Sequence, residues 1–154
     1  MMRIIKFRGK IKNDPSYRPT NFGKGVWVVG LISKRPCMDK NICQKFYIND
    51  SEHEFEVDPE TIGQFTGLKD ENGKEIYEGD IVEIFNPCEA NSLHPVAGDL
   101  HNCGVVKWEN DCSRFIVDCV NDERGREFEL VPRFEFTVIS NIHDNPKILT
   151  TKTE

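Results

Sequence analysis

Gln64-Phe65-Thr66-Gly67-Leu68-Lys69-Asp70-Glu71-Asn72-Gly73-Lys74-Glu75-Ile76-Tyr77-Glu78-Gly79-Asp80-Ile81-Val82 is the stretch on which the fold turns. Asn72-Gly73 is the favoured pair for a tight type I′ turn, whose two central positions need positive φ. With Leu68 before it and Ile76 and Tyr77 after it, the pair predicts a hairpin. Glu78-Gly79-Asp80 makes a second turn, and Ile81-Val82-Glu83-Ile84-Phe85 opens another strand. Upstream, Asp58-Pro59-Glu60-Thr61 sets a capping residue before a proline at the first helical position. Gly63 follows at once, so one helical turn at most is expected there.

Working outward, short alternating runs continue on both sides. Ile4 to Lys12 places Ile5, Phe7, Gly9 and Ile11 on one side and Lys6, Arg8, Lys10 and Lys12 on the other, the period of a half-buried strand. Gly25 to Ile32 and Lys45 to Ile48 read as further strands, and so do Gly104–Trp108, Arg114–Val117, Glu127–Val131 and Glu135–Ile139. The expected fold is mainly β with little helix: a short-stranded barrel or sandwich of two intertwined small lobes, the C-terminal one SH3-like in character. A basic lobe spans 1–57, an acidic barrel-like lobe 58–146 and a polar tail 147–154, within one domain overall. The expected core is Ile5, Phe7, Trp27, Val29, Leu31, Ile62, Ile76, Val82, Val106, Trp108, Phe115, Val117, Leu130, Val138 and Ile142.

Three blocks of this sequence are similar to the YopX family of phage and prophage proteins. The opening Ile5-Lys6-Phe7-Arg8-Gly9-Lys10, with Trp27 and Gly30-Leu31-Ile32, resembles the family's start. Val57 to Asp70, continuing through Asn72 to Val82, resembles its central block. Gly104-Val105-Val106 with Trp108, then Val138-Ile139 and Asn141-Ile142 to Asn145-Pro146, resembles its close. The resemblance implies a phage-related origin and an oligomeric protein with no assigned activity, and it carries over no catalytic or binding residues.

Charge is divided unevenly in the 154 residues. Residues 1–45 hold eleven bases against two acids, a net of +9, while the remainder holds nine bases against 24 acids, −15, which together give −6. That asymmetry suits a nucleic-acid contact, a contact between subunits, or pairing inside the chain. Lys6, Arg8, Lys10 and Lys12 set four cations along ~20 Å of strand, a geometry that phosphate backbones reward. Glu52, Glu54 and Glu56 also alternate, so a cross-strand ladder with those cations, within or between chains, is the competing reading.

Catalytic patterns are missing from the sequence. There is no Gly-x-Ser-x-Gly elbow and no phosphate loop, and His53-Glu54 lacks the second histidine of a zinc-protease helix. The Asn86–Cys103 connection carries Cys88, His94, His101 and Cys103, enough donors for tetrahedral zinc but without the spacing of a closed site. No cofactor is expected. No run approaches the ~18 apolar residues of a membrane span, and Met1-Met2-Arg3-Ile4-Ile5-Lys6 is no secretory leader. The six cysteines are accordingly expected as thiols in a cytoplasmic protein. The leading expectation is a non-catalytic, homo-oligomeric accessory protein acting through assembly or protein binding; the alternative is a nucleic-acid-binding module using the basic strand.

Overall fold

A computed structural model of the chain describes residues 4–12, 25–36, 44–85, 101–119, 127–132 and 134–149. The architecture is mainly β, as the alternating runs predict. Eleven strands are seen among the described residues: β1 (Phe7–Lys10), β2 (Trp27–Pro36), β3 (Gln44–Asn49), β4 (Glu54–Val57), β5 (Gly63–Lys69), β6 (Glu75–Tyr77), β7 (Asp80–Phe85), β8 (His101–Glu109), β9 (Arg114–Cys119), β10 (Glu127–Glu129) and β11 (Glu135–Asn141). They form a six-stranded sheet in the order β4-β3-β2-β1-β5-β6 and a five-stranded sheet in the order β10-β9-β8-β7-β11. The chain divides into two compact units, Met1–Phe65 and Thr66–Glu154, with β5 crossing the division.

In the first unit the inner face is lined by Ile11, Val28, Ile48, Phe55 and Val57, with Phe7, Phe46 and Ile62 against them. Gly9 lies among these groups in a tight space: a Cβ there would stand 3.1 Å from Ile48 Cδ1 and 3.2 Å from Val57 Cβ, so both side chains would have to give by a few tenths of an ångström. The far edge of β4 returns to the end of β1. Ile11 bridges Val57, the Lys12 N–H donates to the Glu56 carbonyl at 2.9 Å and the Asp58 N–H to the Lys10 carbonyl at 2.9 Å. Pro59–Thr61 forms the single expected helical turn, and the Asp58 side chain accepts the Glu60 N–H. Thr61 ties this turn to β1 by accepting the Lys10 N–H at 2.8 Å.

β2 presents the opposite face from the one expected. Val28 is buried, while Val29 is 40% and Leu31 66% exposed. The residue that decides this is Gly30, where a Cβ would lie 1.8 Å from the Asn49 carbonyl oxygen. β2 and β3 approach so closely there that the strand can turn only one way, and a strand turned by one residue exchanges all its faces. Ile5, also expected in the core, is 56% exposed ahead of β1.

The second unit has its own core of Ile76, Val82, Ile84, Val106, Phe115, Val117, Cys119, Leu130, Phe136 and Val138. These residues alternate along β7, β8, β9 and β11, which is why the sequence periodicity found most of them. Trp108 is not enclosed; it sits at the margin, edge-on to Phe115 with ring centroids 4.9 Å apart. The barrel-like character expected of this lobe takes the form of an open sheet, and among the described residues no ladder joins β10 to β11. A bulge at Ile139 shifts the β7–β11 register between Val138 and Ser140.

The Asn72-Gly73 turn exists but is not type I′. Gly73 has φ +80°, whereas Asn72 is not among the positive-φ residues. The Gly73 N–H donates to the Asp70 carbonyl at 3.0 Å and the Asp70 N–H to the Lys74 carbonyl at 2.8 Å. This is a type I turn closed by a left-handed glycine. Asp70 selects it, because its Oδ1 accepts the N–H groups of Asn72 at 2.9 Å and Lys74 at 2.8 Å.

Candidate functional site

The residues singled out by charge meet on the outer face of the first unit's sheet. Pairing of Arg8 with Val29 and Lys10 with Trp27 puts the even residues of β1 beside the odd residues of β2. Pairing of Ser33 with Tyr47 and Arg35 with Lys45 extends that face onto β3, and Tyr47 with Glu56 extends it onto β4. It therefore carries Arg8, Lys10, Trp27, Val29, Leu31, Arg35, Lys45, Tyr47, Glu54 and Glu56, with Lys6 and Lys12 at the two ends of β1.

The four expected cations do not form a solvated row. Lys6 Nζ sits 4.8 Å from the Phe65 ring centroid. Arg8 Cζ lies 4.6 Å from the Trp27 ring, and Lys10 Nζ lies 5.3 Å from the same ring. Arg8 is only 9% exposed, so its guanidinium is a buried part of the face. Lys12 turns instead to Glu56, Nζ to Oε1 at 3.9 Å. The aromatic partners are a product of register: a period of two on adjacent strands stacks each cation over the ring one strand away.

The acidic ladder is split in the same way. Glu56 takes Lys45 at 2.8 Å as well as Lys12. Glu54 takes Arg35 Nη2 at 2.7 Å and the Ser33 hydroxyl at 3.4 Å, while Arg35 Cζ also lies 5.0 Å from the Tyr47 ring. Glu52 is off the strand, in the turn where Asp50 accepts the N–H groups of Glu52 at 3.0 Å and His53 at 2.7 Å. Those two N–H groups, with the His53 charge, hold the Asp50 carboxyl below its usual range despite the opposing effect of burial. Of the expected cation–acid pairs, the structure brings together Lys12 and Glu56. Arg35 and Lys45 are the partners that sequence spacing did not single out, because they reach the acids across β2, β3 and β4.

Val29 and Leu31 complete the face, and their exposure was missed. The available signal was Gly30, since glycine inside a strand marks a close backbone approach and so fixes which neighbours turn inward.

Cys88 and His94 lie outside the described residues. His101 and Cys103 fall on β8. Burial first, and then the charge of Glu83 opposite it in the β7–β8 ladder, raise the Cys103 thiol above its ordinary range. Among the described residues no three His, Cys, Asp or Glu side chains are grouped to hold a metal ion. No helix among the described residues is long and apolar enough to cross a membrane.

With this geometry in place, comparison with known proteins supplies the lineage. The model of the family described as YopX protein matches residues 24–150. The chain belongs to the YopX family. The match begins after β1, so the cationic strand itself lies outside the part of the YopX chain that the family model covers. Among solved structures, the YopX chain is similar to protein EF1440 from Enterococcus faecalis, with 22% identity, coverage of 96% of this chain and 99% of that one, and a TM-score of 0.40. No curated protein matches it.

Proposed function

We propose that this YopX-family chain is a non-catalytic accessory protein of phage or prophage origin, acting in the cytoplasm by binding protein, its own copies included, through the outer face of the N-terminal sheet. The observation that carries this reading is the exposure of Leu31 at 66% and Val29 at 40% in the middle of a strand flanked by Trp27, Tyr47, Arg8 and Arg35. A single exposed aliphatic residue means little, but two on one face ringed by Trp, Tyr and Arg reproduce the composition of a protein-contact centre with a polar rim. The same cations already engage rings and carboxylates of their own chain, which favours a protein partner over a phosphate backbone.

The test is the mass in solution by light scattering of wild type and Leu31→Glu. Assembly through this face predicts a wild-type mass above the 17.8 kDa of one chain and a fall toward that value for the variant. A multimer that Leu31→Glu leaves intact removes this face from the assembly. Titration of labelled DNA and RNA oligomers tests the alternative, for which a steep loss of binding with salt is the expected sign.

A further inference from the structure

Among the described residues β11 is the last strand of its sheet, with β7 on one side only. Thr137 faces Glu83 in that ladder, so Phe136 and Val138 turn their backbone groups toward the open edge. Those groups are already taken. The Glu71 N–H donates to the Phe136 carbonyl at 3.1 Å, the Val138 N–H donates to Asp70 Oδ2 at 3.1 Å, and the Thr137 hydroxyl donates to Glu71 Oε1 at 2.5 Å. The turn after β5 thus stands where the next strand of the sheet would stand, making that strand's hydrogen bonds with one carboxylate and one peptide N–H.

We propose that the 70–73 turn is a latch over a concealed strand-pairing edge, and that the partner this edge fits is β11 of a second copy of the chain. The edge is self-complementary. A two-fold axis through Thr137 sets the Val138 N–H of each copy on the Phe136 carbonyl of the other, replacing the two latch bonds one for one. Thr137 then faces Thr137, Phe136 faces Val138, and Glu135 faces the bulged Ile139, so no like charges oppose each other. Such a contact is isologous and closed, joining two five-stranded sheets into one of ten. It uses neither Val29 nor Leu31 and stands apart from the reading of the N-terminal face.

Two substitutions release the latch by different routes. Asp70→Ala removes the acceptor of the Val138 N–H. Glu71→Pro removes the donor to Phe136 yet suits the second position of a type I turn, so it keeps the hairpin where Asp70→Ala fails to fold. Sedimentation over a concentration series is expected to show twice the wild-type mass for either variant. The Val138 amide should exchange quickly when dilute and become protected as the mass doubles. Adding Val138→Pro, which deletes the N–H that pairing needs and leaves the β7 ladder intact, is expected to restore the wild-type mass. Adding Leu31→Glu is expected to leave the doubling untouched, which separates this contact from the N-terminal face. Folded variants with unchanged mass, or a doubling that Val138→Pro does not reverse, overturn the proposal.

Discussion

Asp70 Oδ2 accepts the Val138 N–H at 3.1 Å across 68 residues of sequence. The same carboxylate closes its own turn through Asn72 and Lys74, so one buried side chain sets a local conformation and anchors a distant strand. Burial pushes the Asp70 carboxyl up. The N–H groups of Val138, Lys74 and Asn72, with the Lys74 charge, outweigh it and hold the group below its ordinary value of 3.8.

Asp70→Asn should cost about 1–3 kcal/mol at neutral pH, because the Val138 N–H loses its charged acceptor and one amide oxygen replaces the two carboxylate oxygens that hold three N–H groups. The sign of the pH dependence follows from the depressed value. The stability due to Asp70 is fully present above 3.8 and is lost as pH falls through 3.8 toward the lower folded-state value. The difference in unfolding free energy between wild type and Asp70→Asn, measured against pH, should shrink over that acid range. A difference that stays constant down to the acid limb shows that the carboxylate is not the stabilising group.

Gly30→Ala and Gly67→Ala should both destabilise, for different reasons and by different amounts. At Gly30 the new methyl meets the Asn49 carbonyl oxygen at 1.8 Å, whereas at Gly67 (φ +93°) nothing lies within 4 Å. The second change costs only backbone strain, about 1–2 kcal/mol. The first must separate β2 from β3 and should exceed it, at about 3 kcal/mol or more. Urea midpoints of the two variants check the order, and a smaller loss at Gly30 contradicts the close approach that sets the face of β2.

Glu56→Gln removes the negative charge that Lys12 and Lys45 share at the seam between β1 and β4. Both cations are well exposed, so the loss should be about 0.5–1 kcal/mol and should fade as salt is raised. Equal losses in low and high salt mean that the pairing is not electrostatic.

The thiols of β8, β9 and the turn between them should alkylate in a fixed order. Cys112 is exposed, Cys103 partly covered and Cys119 buried, and burial, with the charge of Glu83, raises the Cys103 thiol above its ordinary range. Timed labelling followed by peptide mass mapping should find Cys112 modified first and Cys119 last. Cys103 reacting ahead of Cys112 contradicts the environment described for β8.

Much of this fold is legible in single runs of residues. β8, β9 and β11 bury one face each, and their alternation shows it: Val106 and Val117 point in while Lys107 and Asp118 point out. The Asp58 cap is equally local. The face of β2 is not, because Val28 and Ile32 offer as good an apolar stripe as Val29 and Leu31; the choice is made by the approach of Asn49 at Gly30, a fact of tertiary structure. The turn at Asn72 escaped for a related reason, since a dipeptide preference yielded to an aspartate with three N–H groups to satisfy. The cation row on β1 was readable as one face, but its partners were not, because Trp27, Phe65 and Glu56 reach it from three other strands.

The return of β4 to the end of β1 also bears on how the N-terminal unit comes together. The Ile11–Val57 bridge links positions 46 apart in the sequence, while the β2–β3 and β3–β4 ladders join neighbours along the chain. Closing the longer loop loses more entropy before any contact repays it. The seam should therefore form late on the folding route and be the first line to open under mild denaturant. Amide exchange at Lys12 and Asp58, whose N–H groups make the seam's hydrogen bonds, would then report a sub-global opening that leaves the β2–β3–β4 meander intact.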